Sequence, residues 1–370
     1  MINNIDKINL SKELRSVFEK VVSDQRISAD EGIILFEEAD LGLLGMLANH
    51  VSRKKNGKKV CFIRNFHIEP TNICIYNCEF CSYSQRVSDI SWDYSPDEIL
   101  TKVAEADSNV REVHITGGVH PSHDIHYYGK MIQDIKKLRP QIHIKAFSAI
   151  EIDYMIKKAE LSFMEGLKIL KEYGLDSIPG GGAEIFDEEI RAKICNDKTT
   201  TAEWLEIHET AHNLEILSNA TMLYGHIESY HHRIDHMLRL RDLQDRTGKF
   251  SSFIPLKFKN KNNSMSYLPE VSGIEDLKNY AVSRIFLDNF THIKAYWPMV
   301  GKEITQLSLS FGVDDIDGTI EDSTKIYSLA GAEDQNPSMT AGEFVQMVKQ
   351  VNLIPVERDS KYNIIKVYDN

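Results

Sequence analysis

The sequence predicts an α/β protein: a (β/α)8 barrel of the TIM type, preceded by a helical segment and followed by a C-terminal extension. From Phe62 onward, short apolar runs alternate with longer amphipathic helices at spacings of roughly 30 to 45 residues, the rhythm of repeated βα units. The 370 residues, 42% of them hydrophobic, are enough for one large domain or two ordinary ones. The first predicted strand leads straight into a cysteine-containing loop, and a barrel carries its chemistry at the C-terminal ends of its strands.

The segment before the barrel, residues 1–58, is predicted to be helical. Ser28 and Glu31 have the spacing of a capping box, which marks the start of a helix. The residues that follow supply apolar faces at helical spacing: Ile33, Ile34, Phe36, Leu41, Leu44 and Leu47.

The barrel is predicted to span residues 59–320 and to contain eight parallel strands. The candidate strands are the apolar runs Phe62–Glu69, Glu112–Thr116, His143–Phe147, Ser177–Pro179, Asn219–Leu223, Phe253–Lys257, His292–Trp297 and Leu307–Phe311. Residues 321–370 form the C-terminal extension, which we expect to pack on the barrel. Within it, Thr340 is predicted to cap one more helix, and Leu353–Asp369 to be extended or irregular.

The charge balance argues against a nucleic-acid partner and favours a small-molecule substrate. Lys and Arg number 43 against 55 Asp and Glu, giving a net charge of −12, whereas nucleic-acid binding normally requires a basic face. The N-terminus has no apolar signal core, and no stretch approaches the roughly 18 consecutive apolar residues of a membrane span. We therefore expect a cytoplasmic protein without a membrane partner, in a compartment where free thiols persist.

Three cysteines with the spacing C-x3-C-x2-C, Cys74, Cys78 and Cys81, predict an iron–sulfur cluster with one iron not held by the protein. An iron without a thiolate can bind a small molecule, so such a cluster does more than carry electrons. The alternative is a structural zinc with His67 as fourth ligand, although zinc knuckles usually use paired C-x2-C units and no second pair exists. Cys61 and Cys195 stand alone and receive no role.

Two glycine-containing segments follow predicted strands. Gly117 and Gly118 come after the second strand, where adjacent glycines let the backbone approach a ligand closely, or simply make a tight βα turn. After the fourth strand, three consecutive glycines precede Glu184, whose carboxylate could accept hydrogen bonds from a ribose hydroxyl or an amino group. A flexible loop is the alternative for this second segment.

Polar side chains also lie where predicted strands end, among them Lys145, Lys257, Lys294 and His226. An inward-facing cation at such a position could pair with a substrate carboxylate. A neighbouring acid in the barrel wall could equally satisfy each of them.

The cysteine spacing, with the aromatic Phe80 before the last cysteine, resembles the signature of the radical S-adenosylmethionine (SAM) enzymes. The resemblance implies a barrel of the radical SAM kind, with a [4Fe-4S] cluster whose open iron chelates SAM and whose electron cleaves it to methionine and a 5′-deoxyadenosyl radical. The pair Gly117 and Gly118 resembles the motif that contacts the methionine amino group, and Phe80 and Glu184 are then further candidates for binding the cofactor.

Several segments together resemble one family of that superfamily, the aminofutalosine synthases of the futalosine route to menaquinone. The resemblance runs from about residue 25 to the C-terminus. It is carried by the segments 67–74 (HIEPTNIC), 115–121 (ITGGVHP), 143–147 (HIKAF), 176–186 (DSIPGGGAEIF), 219–226 (NATMLYGH) and 292–297 (HIKAYW).

That resemblance implies a transferase that consumes SAM as a cosubstrate. The adenosyl radical adds to 3-[(1-carboxyvinyl)oxy]benzoate, and rearrangement with decarboxylation gives 6-amino-6-deoxyfutalosine. A flavodoxin- or ferredoxin-type protein would supply the electron. Lys145, Lys257 and Lys294 become candidates for holding the substrate carboxylates, with His67 and His226 as proton or hydrogen-bond donors.

Two alternatives share the cysteine spacing: dehypoxanthine futalosine cyclase, which acts later in the same pathway, and the deazaflavin-precursor synthases. The combination of the segments 67–72 (HIEPTN) and 292–297 (HIKAYW) favours aminofutalosine synthase. A zinc-stabilised binding protein is the alternative from another class, and it would show neither the brown colour of a cluster nor SAM turnover.

Overall fold

The structure, a computed structural model, describes residues 10–85, 90–320, 325–332, 334 and 337–369. The helices in these ranges are α1 Lys12–Val22, α2 Ala29–Glu38, α3 Leu41–Asn56, α4 Pro96–Glu105, α5 Ile125–Leu138, α6 Ala149–Lys158, α7 Phe163–Tyr173, α8 Glu188–Ile194, α9 Thr201–Asn213, α10 Tyr230–Thr247, α11 Gly273–Phe286, α12 Trp297–Val300, α13 Lys302–Ser308, α14 Lys325–Leu329 and α15 Ala341–Lys349. The strands are β1 Lys59–Ile63, β2 Asn65–Ile68, β3 Glu112–Ile115, β4 His143–Ala146, β5 Ser177–Ile178, β6 Leu217–Tyr224, β7 Phe250–Lys257, β8 Asp315–Gly318, β9 Ile354–Arg358 and β10 Ile364–Val367.

The N-terminal segment is helical from residue 12, as predicted, while its residues 1–9 lie outside the described part of the chain. The capping box at the start of α2 is confirmed. The Glu31 amide donates to the Ser28 hydroxyl at 3.3 Å, and the Ser28 amide donates to the Glu31 carboxylate at 2.8 Å. Helices α2 and α3 pack on the barrel helices α10 and α11, with Phe36 and Leu44 fully buried.

The strands form a closed ring of parallel pairs, which confirms the predicted barrel. β2 to β7 follow one another in chain order in one sheet. The first predicted strand divides at Arg64, so that β2 pairs with β3 while β1 pairs with β8. Between β7 and β8 the ring continues through two bridging residues, Ile293 opposite Phe253 and Lys294 opposite Asp315. The predicted strand His292–Trp297 is therefore reduced to these two bridges.

The prediction of a strand at Leu307–Phe311 is wrong. Its first two residues belong to the end of helix α13, and Leu307 is 53% exposed. The eighth strand is instead β8, with the sequence Asp-Ile-Asp-Gly. Acidic residues are rare in strands. Here they are buried because the Asp315 carboxylate lies 2.6 Å from the Arg358 guanidinium and the Asp317 carboxylate 2.7 Å from the Lys294 ammonium.

The C-terminal residues extend the sheet and cover the barrel mouth. Strand β9 pairs in parallel with β1, and β10 pairs antiparallel with β9, so much of Leu353–Asp369 is regular strand. Thr340 caps α15 as predicted. Helix α14 lies at the mouth, where the Glu69 carboxylate accepts hydrogen bonds from the amides of Lys325 at 3.0 Å and Ile326 at 3.2 Å. Among the described residues, no helix is both long and apolar enough to span a membrane.

Candidate active site

The cysteine loop follows β2 at the C-terminal end of the barrel. Cys74, Cys78 and Cys81 line one cavity of about 100 Å³. Short backbone pairings hold the loop in place, including the Cys74 amide, which donates to the Gln85 carbonyl at 3.0 Å. The Ser84 amide donates to the sulfur of Cys81 at 3.3 Å. The three thiols therefore face one space, with a backbone donor already directed at one sulfur.

The donor set fits a multi-iron cluster better than a single zinc. A tetrahedral zinc requires ligand sulfurs about 3.8 Å apart, which follows from its bond length of about 2.3 Å. Among the described residues, the cysteines and His67 form no set whose ligand atoms all lie within 4.8 Å of one another. Burial raises the pKa of the Cys78 thiol to about 12 and also raises that of Cys74, so a bound metal is needed to hold them as thiolates.

A group of two imidazoles and a carboxylate lies nearby and joins two loops. The Nε2 atom of His123 is 2.9 Å from the Asp93 carboxylate, and the rings of His120 and His123 stack at 4.0 Å. The Ser122 amide donates to Nδ1 of His120, which leaves the proton of a neutral ring on Nε2. With that proton on Nε2, His120 has no free lone pair for a metal. The contacts of His123 with Asp93 and His120 instead tie the segment around Asp93 to the loop after β3.

Gly117 and Gly118 line the cysteine cavity, and the cysteine loop itself requires them to be glycine. A Cβ atom on Gly118 would lie 2.3 Å from the carbonyl oxygen of Ile73, and one on Gly117 would lie 2.7 Å from that of Thr71. The Gly118 amide also donates to the Thr71 carbonyl at 2.7 Å. The predicted close backbone approach is thus made to the cysteine loop, and contact with a ligand stays a prediction.

Glu184 lies between the cysteine cavity and the barrel interior, held by a lysine that the sequence did not single out. Its φ of +47° is a left-handed conformation, and its carbonyl accepts from the Leu223 amide at 2.7 Å. The Lys198 ammonium donates to the Glu184 carboxylate at 2.6 Å and lies 5.2 Å from the ring centroid of Phe80. Lys198 therefore links two of the predicted cofactor-binding residues.

A larger cavity of about 240 Å³ occupies the barrel interior and adjoins the cysteine cavity, since Ser148 and Gly182 line both. Two predicted lysines line it. The Lys145 ammonium lies 2.8 Å from the Glu112 carboxylate and the Lys294 ammonium 2.7 Å from that of Asp317. An ammonium has three donors, so each lysine retains donors for a ligand. Further polar side chains complete the wall: Asn65, His114, Thr116, Asn219, Thr221, Tyr296 and Tyr327.

The structure does not bring Lys257, His226 or His67 to the wall of this cavity. Lys257 pairs with Asp276 at 2.8 Å and lines a separate cavity, because its neighbour Leu256 faces inward and successive strand residues face opposite sides. His226 is held outside it, with Nε2 3.2 Å from the Leu223 carbonyl oxygen. His67 is buried, with its ring in edge-to-face contact with that of His114.

Comparisons with known proteins agree with this geometry. Residues 68–240 match the family model "Radical SAM superfamily", and residues 247–370 match "CofH/MqnC C-terminal region". The chain is 42% identical to the aminodeoxyfutalosine synthase of Thermus thermophilus, over 95% of this chain and 96% of that one. It is 36% identical to the 5-amino-6-(D-ribitylamino)uracil–L-tyrosine 4-hydroxyphenyl transferase of Methanothermobacter thermautotrophicus, over 97% and 100%.

Solved structures show the same fold. The crystal structure of methylornithine synthase superposes with a TM-score of 0.73 at 15% identity, over 92% of this chain and 97% of that one. The sequence relatives identify the family within this fold, because their similarity covers the regions that match both family models. The chain thus belongs to the radical SAM superfamily, in the family that contains the aminodeoxyfutalosine synthases.

Proposed function

We propose that this chain is an aminodeoxyfutalosine synthase, an enzyme that joins the adenosyl group of SAM to 3-[(1-carboxyvinyl)oxy]benzoate. The proposal follows the most similar of the relatives described above and the match of both family models. It includes a flavodoxin- or ferredoxin-type protein as electron donor.

Enzymes of this superfamily use a [4Fe-4S] cluster and SAM, which together supply the 5′-deoxyadenosyl radical when bound. In this chain Cys74, Cys78 and Cys81 would hold the cluster, as their shared cavity supports. Glu184 lies beside that cavity and pairs with the Lys198 ammonium, which supports a role for its carboxylate as an acceptor of hydrogen bonds from SAM.

One observation carries the substrate assignment: the cavity that adjoins the cysteines contains two ammonium groups. The aryl enol ether has two carboxylates, and Lys145 and Lys294 offer each of them a charged donor. Glu112 and Asp317 hold the two lysines in position, so little side-chain entropy is lost when the substrate binds. Helix α14 covers the mouth through Ile326 and Tyr327, which limits the access of water to a reactive radical.

The test is anaerobic incubation of reconstituted protein with SAM, dithionite and the aryl enol ether, followed by mass analysis of the nucleosides. We expect 6-amino-6-deoxyfutalosine. Conversion of dehypoxanthine futalosine, or of tyrosine with the ribitylaminouracil, in place of the aryl enol ether would contradict the proposal. Zinc without iron in the purified protein, and no visible absorbance, would support the binding-protein alternative.

The lysines can be tested in the same assay. Lys145→Met and Lys294→Met keep the aliphatic stem and remove the charge, so SAM should still be cleaved to 5′-deoxyadenosine while less adduct forms. Lys257→Met is the matched control, because it also breaks a buried ion pair but lies outside the cavity. Normal product yields in both cavity variants would assign the carboxylates to other groups.

A further inference from the structure

His114 stands out among the histidines of the barrel because its ring makes no hydrogen bond within the described part of the chain. It lines the cavity from β3, and its Nε2 atom is buried without a partner. Other histidines of the barrel wall and its helices each have one: His143 with Ser177, His208 and His212 with Ser218, His236 with the Thr221 carbonyl, and His292 with Asp314. Each of these rings therefore has at least one hydrogen-bond partner, which the ring of His114 lacks among the described residues.

The strand register places His114 directly beside the lysine proposed to bind a carboxylate. His67 on β2, His114 on β3 and Lys145 on β4 are aligned across the sheet. Residues aligned in this way in parallel strands point to the same side, and both His114 and Lys145 line the cavity. A ligand oxygen bound by the Lys145 ammonium would therefore lie close to the imidazole of His114.

The neighbours of His114 hold its ring by packing. Its centroid lies 4.5 Å from that of His67 in an edge-to-face arrangement. The Ile320 amide donates to Oδ1 of Asn65, so the amide NH2 of Asn65 faces Nε2 of His67 at 3.4 Å. His67 is fixed as an acceptor at that nitrogen.

The same environment keeps His114 neutral. Burial, reinforced by the nearby His67 and Lys145, lowers the pKa of His114 well below its ordinary value. A neutral imidazole carries one N–H donor and one acceptor, and Nε2 of His114 has no partner among the described residues. A buried polar group without a partner is costly, and a ligand that supplies the partner recovers that cost.

We propose that His114 is a substrate-binding residue that shares a carboxylate of the aryl enol ether with Lys145. Its neutral imidazole donates an N–H to one carboxylate oxygen while the ammonium binds the same group. This inference rests on the proposed function. It adds a neutral donor to a site whose two cations are already paired with Glu112 and Asp317.

The experiment compares His114→Phe with wild type. Phenylalanine keeps a ring against His67 and removes both nitrogen atoms. Because a hydrogen bond to a charged group is lost, we expect the KM for the aryl enol ether, and its Kd measured calorimetrically with SAM but no reductant, to rise about 10- to 100-fold. The KM for SAM and SAM cleavage without substrate should stay within about twofold of wild type.

Three further variants make the result specific. His114→Gln retains an N–H donor and should recover part of the lost affinity. His50→Phe is the control, since His50 on α3 also has a buried Nε2 without a partner but lies outside the cavity. In the double variant with Lys145→Met, the loss of affinity should be smaller than the sum of the single losses, because the two groups bind one carboxylate.

The outcomes separate this inference from the proposed function. If wild-type protein makes 6-amino-6-deoxyfutalosine and His114→Phe binds the aryl enol ether within twofold of wild type, the assignment of His114 is overturned. If His114→Phe does not fold, a folded His114→Leu variant, which also lacks both nitrogen atoms, takes its place, and unchanged substrate affinity in that variant overturns the assignment equally. If wild type makes no adduct from the aryl enol ether, the proposed function itself fails, and the substrate assignment of His114 fails with it.

Discussion

Gly118→Ala should disable the cysteine site through a single methyl group. The added Cβ would lie 2.3 Å from the carbonyl oxygen of Ile73 and 2.7 Å from its carbonyl carbon. Both atoms belong to the backbone of the cysteine loop, so no flexible side chain can move aside. Restoring an ordinary contact requires the two segments to separate by about 1 Å, since non-bonded atoms pack at about 3.5 Å.

The size of the effect follows from that displacement. Overpacking of this kind costs about 1–3 kcal/mol of folding stability. The larger consequence is for chemistry, because a misplacement of about 1 Å in a reacting site can lower the rate by about 100-fold. Cys74 follows Ile73 directly, so the shift is transmitted to a predicted cluster ligand. We expect a folded protein with less iron after reconstitution and SAM cleavage about 100-fold slower.

The assay measures iron and sulfide per chain, the rate of SAM cleavage with dithionite, and the Tm of the cluster-free protein. Gly342→Ala in α15 is the matched control, because the nearest atom to its added Cβ is 3.8 Å away. Wild-type iron content and a wild-type cleavage rate in Gly118→Ala would refute the reasoning, since they would mean that the loop tolerates the displacement.

Three further predictions concern groups at and around the site. Lys198→Met removes the ammonium beside Glu184, so the Kd for SAM should rise at least tenfold by calorimetry, and an unchanged Kd would contradict the role given to that pair. Cys195→Ser should retain full iron on reconstitution, because Cys195 does not line the cysteine cavity, and loss of iron would mean that the ligand set is wrong. The cluster-free protein should lose stability as the pH falls below about 6.5. Burial lowers the pKa of His208, and lowers that of His236 to about 3, so only the unfolded state takes up their protons; each should cost about 2 kcal/mol at pH 5 in urea unfolding, and equal stability at pH 7.5 and pH 5 would contradict this.

Features with local causes could be predicted from the sequence. The capping boxes at Ser28 and Thr340 depend on residues three positions apart, and both are present in the structure. The spacing of apolar runs predicted the barrel for the same reason, because each βα unit carries its own pattern of buried residues. The cysteine loop was recognisable because its three thiols are close together in the chain.

The prediction of the eighth strand failed because its cause is not local. The acidic residues Asp315 and Asp317 are buried in β8 only because Arg358 and Lys294 reach them from other parts of the chain. Local propensity therefore favoured the apolar residues of Leu307–Phe311, although Leu307 and Ser308 are the last two residues of helix α13. The residues within either segment do not indicate these ion pairs, because each pair joins positions that are distant in the chain.

The sequence by itself indicated the chemistry of this protein: three cysteines as candidate cluster ligands, glycines after the strands and lysines as candidates for binding an acidic substrate. Only the tertiary structure decided which of these lysines line the interior cavity. Lys145 and Lys257 occupy similar positions at strand ends, yet one faces the interior and the other faces away. It also brought Lys198 to Glu184 and left Nε2 of His114, at the cavity wall, without a partner among the described residues. The physical reason is that strand register and barrel closure, set by hydrogen bonds between distant segments, decide which side each side chain faces.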